Sequence, residues 1–421
     1  MSDIIVYYAV SPVHIRNIQL LRPHLAARKV RIAYEKASPW LREGSANDME
    51  MIGFAPDDMP EALWQGRVGV VVFSAIQPRL GPIALLAAAL EREIPTVAIE
   101  ESSQIALNQG RINNYVLPVD RVLTASEYER KGMIKAGLPA RRFEAVGWPF
   151  YGGRIGRIDE RLKKERKEAL GLDGRRPVAA LTLTGLHDAG ESPTVRRRQL
   201  SLSAQGLPDG YQLVIKPHPI ESREILMPFV KECAPHATVL EGSVLVEDML
   251  DATDVLLNRG ASQVCFEALF REVPVVVLDT GIWTPFHAVP ERVAADPASL
   301  RRIVGELEDA VDWLASYDAF FQEHVTLPPD QARVAVCTRI TDIADAGERD
   351  PRVEEQLFEL ALFRAWAGDM TGARRTLQRL DYAVDYPTGP LDRLIKYGAN
   401  HDDLSELQAY LGTGFHAHLL R

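Results

Sequence analysis

Cysteine is scarce in this sequence. Cys233, Cys265 and Cys337 are odd in number and far apart, which excludes a disulfide framework and a thiolate metal site readable from spacing. A reducing compartment is expected. No HExxH, paired CxxC or DxD appears, so no metal site follows from motif spacing either. Long hydrophobic runs are lacking as well: the longest, Pro82 to Leu90, stops at Glu91, about half of what a membrane span needs. The start, MSDIIVYYAV, has an acid at position 3 where a secretory leader carries basic residues. Together these features predict a cytoplasmic chain with no integral membrane segment. Positive charge is also in deficit, 48 Lys plus Arg against 58 Asp plus Glu for a net charge of −10, which argues against nucleic acid as the main partner.

What is present is the composition of a globular protein: 46% hydrophobic and 25% charged over 421 residues, enough for two or three domains. Short Val- and Ile-rich runs alternate with amphipathic stretches of helical length, the rhythm of βαβ units. In the first half the spacing predicts strands at Ile4–Val10, Val30–Tyr34, Val68–Phe73, Thr96–Ile99 and Arg121–Thr124, with helices at Ile15–Arg28, Ile83–Glu93 and Glu127–Ala136. The glycine-rich segment GWPFYGGRIGRID, Gly147 to Asp159, then breaks the pattern and marks a domain boundary near residue 150. A second alternating set follows, with strands at Val178–Thr184, Tyr211–Lys216, Thr238–Leu240, Val255–Asn258 and Val275–Asp279. The predicted class is α/β: domains over 1–150 and 151–346 facing across a cleft, with the site at the carboxyl ends of the strands. After about Ala346 only helical patterns remain. LFELALFRAWAGDMTGARRTLQRL reads as one helix pair of a tetratricopeptide type, so 347–421 is expected to be a helical appendage that docks on the body, on a protein partner or on a second copy.

The sharpest local signal is LVIKPHP, Leu213 to Pro219, a strand that ends in Lys216 and His218 between prolines and offers two nitrogen groups to an anion. The bland alternative is a proline-terminated strand with a surface lysine and a packed histidine. The second signal is DVLLNRGASQVCFEALFREVPVVVLD, Asp254 to Asp279: a buried strand, a turn, then a helix from about Gln263 to Phe270. Its first turn suits a phosphate, Ser262 can cap it or donate to the same anion, and Glu267, one turn on, can take the hydroxyls of a ribose. Asn258, Arg259 and Gln263 complete this candidate set.

KPHP on one strand, with NRGASQVCFEALFREVPVVVLD about forty residues later, resembles the carboxyl-terminal nucleotide-binding half of GT-B glycosyltransferases. The look is nearest to bacterial capsule and wall-polymer enzymes of the CDP-glycerol glycerophosphotransferase type, with UDP-N-acetylglucosamine 2-epimerase as a cousin. The resemblance implies two Rossmann-like domains and a UDP-, CDP- or GDP-linked donor held by the second, with no further cofactor. It also implies transfer of a sugar or a glycerol-phosphate-like unit to a hydroxyl acceptor on the first domain, in surface polysaccharide or glycoconjugate synthesis. Carried over by position, His218 and Ser262 would contact the donor phosphates and Glu267 the ribose. Lys216, His218 and the helix start would neutralise the leaving diphosphate without a metal ion.

On the acceptor side, strand Ile4–Val10 runs into SPVHIRNIQLL, where the family similarly has a histidine. His14 is thus a candidate general base, or a helix-start histidine satisfied by backbone. Glu100 and Glu101 follow a buried strand and are further candidate bases, only one of which can face a given side of an extended segment. Gly185 and His187, in the loop after Thr182, can approach the donor, whereas Arg196 to Arg198 read as a solvated helix face, and Trp148 and Tyr151 as packing residues. Two other functions fit the same residues: a nucleotide-sugar 2-epimerase, and a non-catalytic nucleotide-binding scaffold.

Overall fold

The computed structural model describes residues 3–38, 41–42, 44, 46, 49–74, 80–100, 116–135, 138–184, 191–218, 221–260, 262–281, 284–309 and 313–379. They divide into two compact units, one built from 3–100, 116–150 and 324–379, the other from 151–323.

The first unit carries a seven-stranded sheet of β1 (Ile4–Tyr8), β2 (Lys29–Glu35), β3 (Glu50–Phe54), β4 (Val68–Phe73), β5 (Thr96–Ile99), β6 (Arg121–Thr124) and β7 (Phe143–Ala145), in the order β3-β2-β1-β4-β5-β6-β7. The second carries β8 (Val178–Thr182), β9 (Gln212–Lys216), β10 (Thr238–Val239), β11 (Val255–Asn258), β12 (Val275–Leu278) and β13 (Val293–Ala294), in the order β10-β9-β8-β11-β12-β13. Neighbouring strands pair in parallel throughout both sheets. Each sheet is therefore doubly wound, and its strand order reverses once, between β1 and β4 in the first and between β8 and β11 in the second. Ligands of such sheets bind outside the carboxyl ends at that reversal.

The central strands form because their side chains are apolar on both faces: Val70, Val71, Val72 and Phe73 are all buried, as are Val255, Leu256 and Leu257. Sequence periodicity misses β3, β7 and β13. The two- and three-residue strands β13 and β7 are too short to show a period, and Glu50, Met51, Ile52 and Gly53 of edge strand β3 are not fully buried. The first helix occupies Pro12–Leu21, not Ile15–Arg28. Pro12 suits a first helical position, and Pro23 falls in a 3-10 turn, Arg22–His24, where its missing N–H ends the regular ladder.

The expected boundary at residue 346 moves to 323. Helix Pro329–Ala346 packs on helix Pro12–Leu21 and on β4, burying Ala332, Val336, Cys337, Ile340 and Ile343. Arg339 adds a two-pronged ion pair to Glu144, at 2.7 Å on each oxygen. The appendage is likewise part of the first unit. Helices Val353–Trp366 and Met370–Leu377 pack together, and Leu357, Phe358, Ala361 and Leu362 enter the same apolar cluster as Leu85, Leu86 and Leu90 of helix Leu80–Glu91. The described part of the appendage thus docks on its own chain; residues 380–421 lie outside the described set.

Candidate functional site

At the carboxyl edge of the second sheet the reversal between β8 and β11 is bridged by Asn258. Its amide donates to the Thr182 carbonyl at 3.2 Å and to Thr182 Oγ1 at 2.7 Å, while its Oδ1 accepts the Gly260 N–H at 2.7 Å. Gly260 has φ +79, and a Cβ there would stand 2.4 Å from Thr284 Oγ1, so only glycine turns the chain at this point. Three strand ends then bring polar groups to one edge: β9 delivers Lys216 and His218, β11 delivers Arg259, and the segment after β8 delivers Glu191 and the Thr184 carbonyl.

Lys216 is 4% exposed and donates from Nζ to the Gly242 carbonyl at 3.2 Å. Burial holds its pKa below the usual lysine value. The lysine is thus a buried cation bonded to a backbone carbonyl, not a surface group. His218 is half-buried at the turn after β9, where its carbonyl accepts the Glu221 N–H at 3.0 Å. Arg259 is 2% exposed, with Nε 3.7 Å from Glu191 Oε2.

Two expectations need correction here. Helix Val264–Phe270 has Gln263 as its first flanking residue, with no side-chain cap, and Ser262 Oγ is 3.5 Å from the Val264 N–H, too long for a strong bond. Gln263 already has helical dihedrals, so the chain enters through a turn and not through an extended cap. Arg196 is not on a solvated face: it is fully buried and bonded to Glu191, Glu221 and the Thr184 carbonyl. Sequence reasoning missed Glu191, Arg196 and Glu221. Arg196 shares a helical stripe with Gln199, Leu200 and Ser203, all buried, and that i, i+3, i+4, i+7 spacing is the signal that could have found it. Glu267 is half-buried on the short helix, and Gly185 and His187 lie outside the described residues.

In the first unit, His14 is 3% exposed and its Nδ1 accepts the Val10 N–H at 3.0 Å. With Nδ1 taken by that backbone N–H, Nε2 is the ring nitrogen left to meet an acceptor hydroxyl. Glu100 is 1% exposed and its Oε2 accepts the Ala125 N–H at 2.8 Å, joining the ends of β5 and β6. Glu101 lies outside the described residues. A carboxylate that the sequence did not single out stands at the end of β2: Glu35 is half-buried and Oε1 accepts the Tyr8 hydroxyl at 2.5 Å. The bare Cα of Gly81 admits it, because a Cβ there would meet Glu35 Oε1 at 2.2 Å.

Among the described residues no three or more His, Cys, Asp or Glu side chains are grouped to hold a metal ion, and no helix is long and apolar enough to cross a membrane.

Two doubly wound parallel sheets with an added helical region define the fold of GT-B glycosyltransferases and their epimerase cousins. The wall teichoic acid polymerase TagF aligns at a TM-score of 0.54 and 11% identity, over 82% of this chain and 89% of its own. MnaA of S. aureus, solved with UDP, aligns at 0.55 and 10% identity, over 82% and 97%. UDP-GlcNAc 2-epimerase of Neisseria meningitidis, bound to UDP-GlcNAc, aligns at 0.53 and 12% identity, over 82% and 100%. No family model and no curated protein sequence matches the chain.

Proposed function

We propose that the protein is a GT-B transferase that moves a sugar, or a glycerol-phosphate-like unit, from a nucleotide-activated donor to an acceptor hydroxyl, in surface polysaccharide or glycoconjugate synthesis. The observation that carries the reading is the set of nitrogen groups at the carboxyl edge of the second sheet, beside its strand-order reversal: Lys216, His218 and Arg259. Lys216 and His218 would stabilise the diphosphate as it departs, in the role a divalent cation can take, and Glu267 would hold the ribose. On the acceptor side His14 would donate from Nε2, which leaves Glu35, Glu100 or Glu101 as the carboxylates able to take the hydroxyl proton. Solved structures of similar fold hold UDP or UDP-GlcNAc, which favours a uridine donor over its cytidine or guanosine counterparts.

Calorimetry tests the donor site. His218→Ala and Glu267→Ala are each expected to weaken UDP binding by about tenfold or more while circular dichroism stays unchanged. Folded variants that bind UDP as the wild type does would overturn the assignment.

The second reading is a nucleotide-sugar 2-epimerase, favoured by the UDP-GlcNAc 2-epimerase that aligns here over 100% of its own chain, against 89% of the polymerase. It predicts deuterium uptake from solvent into UDP-GlcNAc with no acceptor present, where a transferase gives none.

A further inference from the structure

One side chain ties together the loops that follow β8 and β9. Arg196, in the first turn of helix Pro193–Gly206, donates from Nε to Glu191 Oε1 at 2.8 Å, from Nη1 to Glu221 Oε1 at 2.8 Å and from Nη2 to the Thr184 carbonyl at 2.6 Å. The Glu191 side chain is fully buried, accepts Gln199 Nε2 at 3.3 Å, and lies 3.7 Å from Arg259. The Glu221 side chain is 2% exposed; its backbone N–H closes the turn onto the His218 carbonyl at 3.0 Å, and its second oxygen is buried with no partner among the described residues. Two guanidinium groups and two carboxylates balance, so the cluster attracts no anion through net charge. What it provides is geometry. A buried ion network stabilises a fold no better than apolar packing of the same volume, while it fixes each group it bonds in a single orientation.

We propose that Arg196 is a positioning residue for the donor diphosphate. Through Glu221 it fixes the turn that carries His218, and through Glu191 it fixes Arg259 at the end of β11, without touching the ligand itself. The assignment rests on the donor-site reading above.

A double-mutant cycle read by calorimetry with UDP tests it, with CDP and GDP run alongside. Arg196→Met is expected to weaken UDP binding by about tenfold, and the same change made in His218→Ala by less than about threefold, because one of the two groups being positioned is already gone. Glu221→Gln keeps an oxygen for Arg196 and a near-identical volume. It is the variant expected to fold if Arg196→Met does not, and it should weaken UDP binding by about threefold or more, with the same shortfall in the His218→Ala background. Folded Arg196→Met or Glu221→Gln protein that binds UDP within about twofold of the wild type, or losses that multiply in full with His218→Ala, would overturn the assignment. A wild type that binds none of the three nucleotides would instead remove the donor site itself, a result distinct from a wild type that binds beside variants that do not differ from it.

Discussion

Two of the buried charge clusters among the described residues share similar chemistry in opposite settings. At the carboxyl edge of the second sheet, Arg196 and Arg259 are grouped with Glu191 and Glu221. In the first unit, Arg142 pairs with Asp350 and with Glu359 at 2.8 Å, Arg141 pairs with Asp350 at 2.9 Å and with Glu355, and Asp120 accepts the Asp350 N–H at 2.7 Å. Asp120 and Arg142 stand just before β6 and β7, so the second cluster lies at the amino edge of its sheet, where parallel sheets do not bind ligands. It clasps helix Val353–Trp366 to the body. Position along the strands, and not the kind of residue, separates a network expected to act on ligand from one that holds a helix.

The clasp gives the largest expected effect. Asp350→Ala removes the carboxylate shared by two guanidinium groups, one of them on the 3% exposed Arg142 side chain, leaving them only Glu359 and Glu355, and should cost about 3–5 kcal/mol of stability in denaturant melts. UDP affinity of the protein that remains folded should not change. If UDP affinity fell with Asp350→Ala as it does with Arg196→Met, the distinction between the two clusters would fail.

A smaller effect comes from another buried titratable group of the first unit, His324, whose ring lies 4.2 Å from that of Tyr128. Burial lowers its pKa from 6.5 to about 4. The unfolded chain therefore binds a proton that the folded chain refuses, so this contribution is whole above about pH 6.5 and is lost as pH falls toward 4. It amounts to at most about 3 kcal/mol by linkage. His324→Gln should flatten the acid limb of a stability-against-pH curve between pH 4 and 6.5 and leave UDP binding at pH 7 unaltered. An acid limb of unchanged slope would show that the ring is not carried neutral into the fold.

The same contrast explains what the sequence makes legible. The central strands Val68–Phe73, Thr96–Ile99, Arg121–Thr124 and Val255–Asn258 are read to the residue, since strands covered on both faces must be apolar throughout. KPHP and the turn after Asn258 are legible because proline and glycine punctuate a strand end. The charge clusters are not. Arg196 stands in a run of three arginines, and its carboxylate partner Glu221 is 25 residues away, so its burial is a tertiary fact that local patterning does not carry. The appendage is legible only in part for a related reason: its apolar spacing shows that it must dock, while the ion pairs that decide where, from Arg141 and Arg142 to Asp350, span more than 200 residues.

The smallest expected effect separates geometry from charge. Arg197, next to Arg196, is 48% exposed in its side chain, pairs with Glu232 at 3.0 Å and lies 5.0 Å over the ring of Phe229. Such a solvated pair contributes less than about 1 kcal/mol, so Arg197→Ala should leave the melting midpoint nearly in place. It removes the same unit of positive charge from the same helix as Arg196→Met, but none of the bonds that fix the loops after β8 and β9. If Arg196 acts by holding those loops, Arg197→Ala binds UDP as the wild type does at both low and high salt. A loss at low salt that disappears as salt is added would mean that this helix works through its field, and the neighbouring buried arginine would then have to be re-read in the same terms.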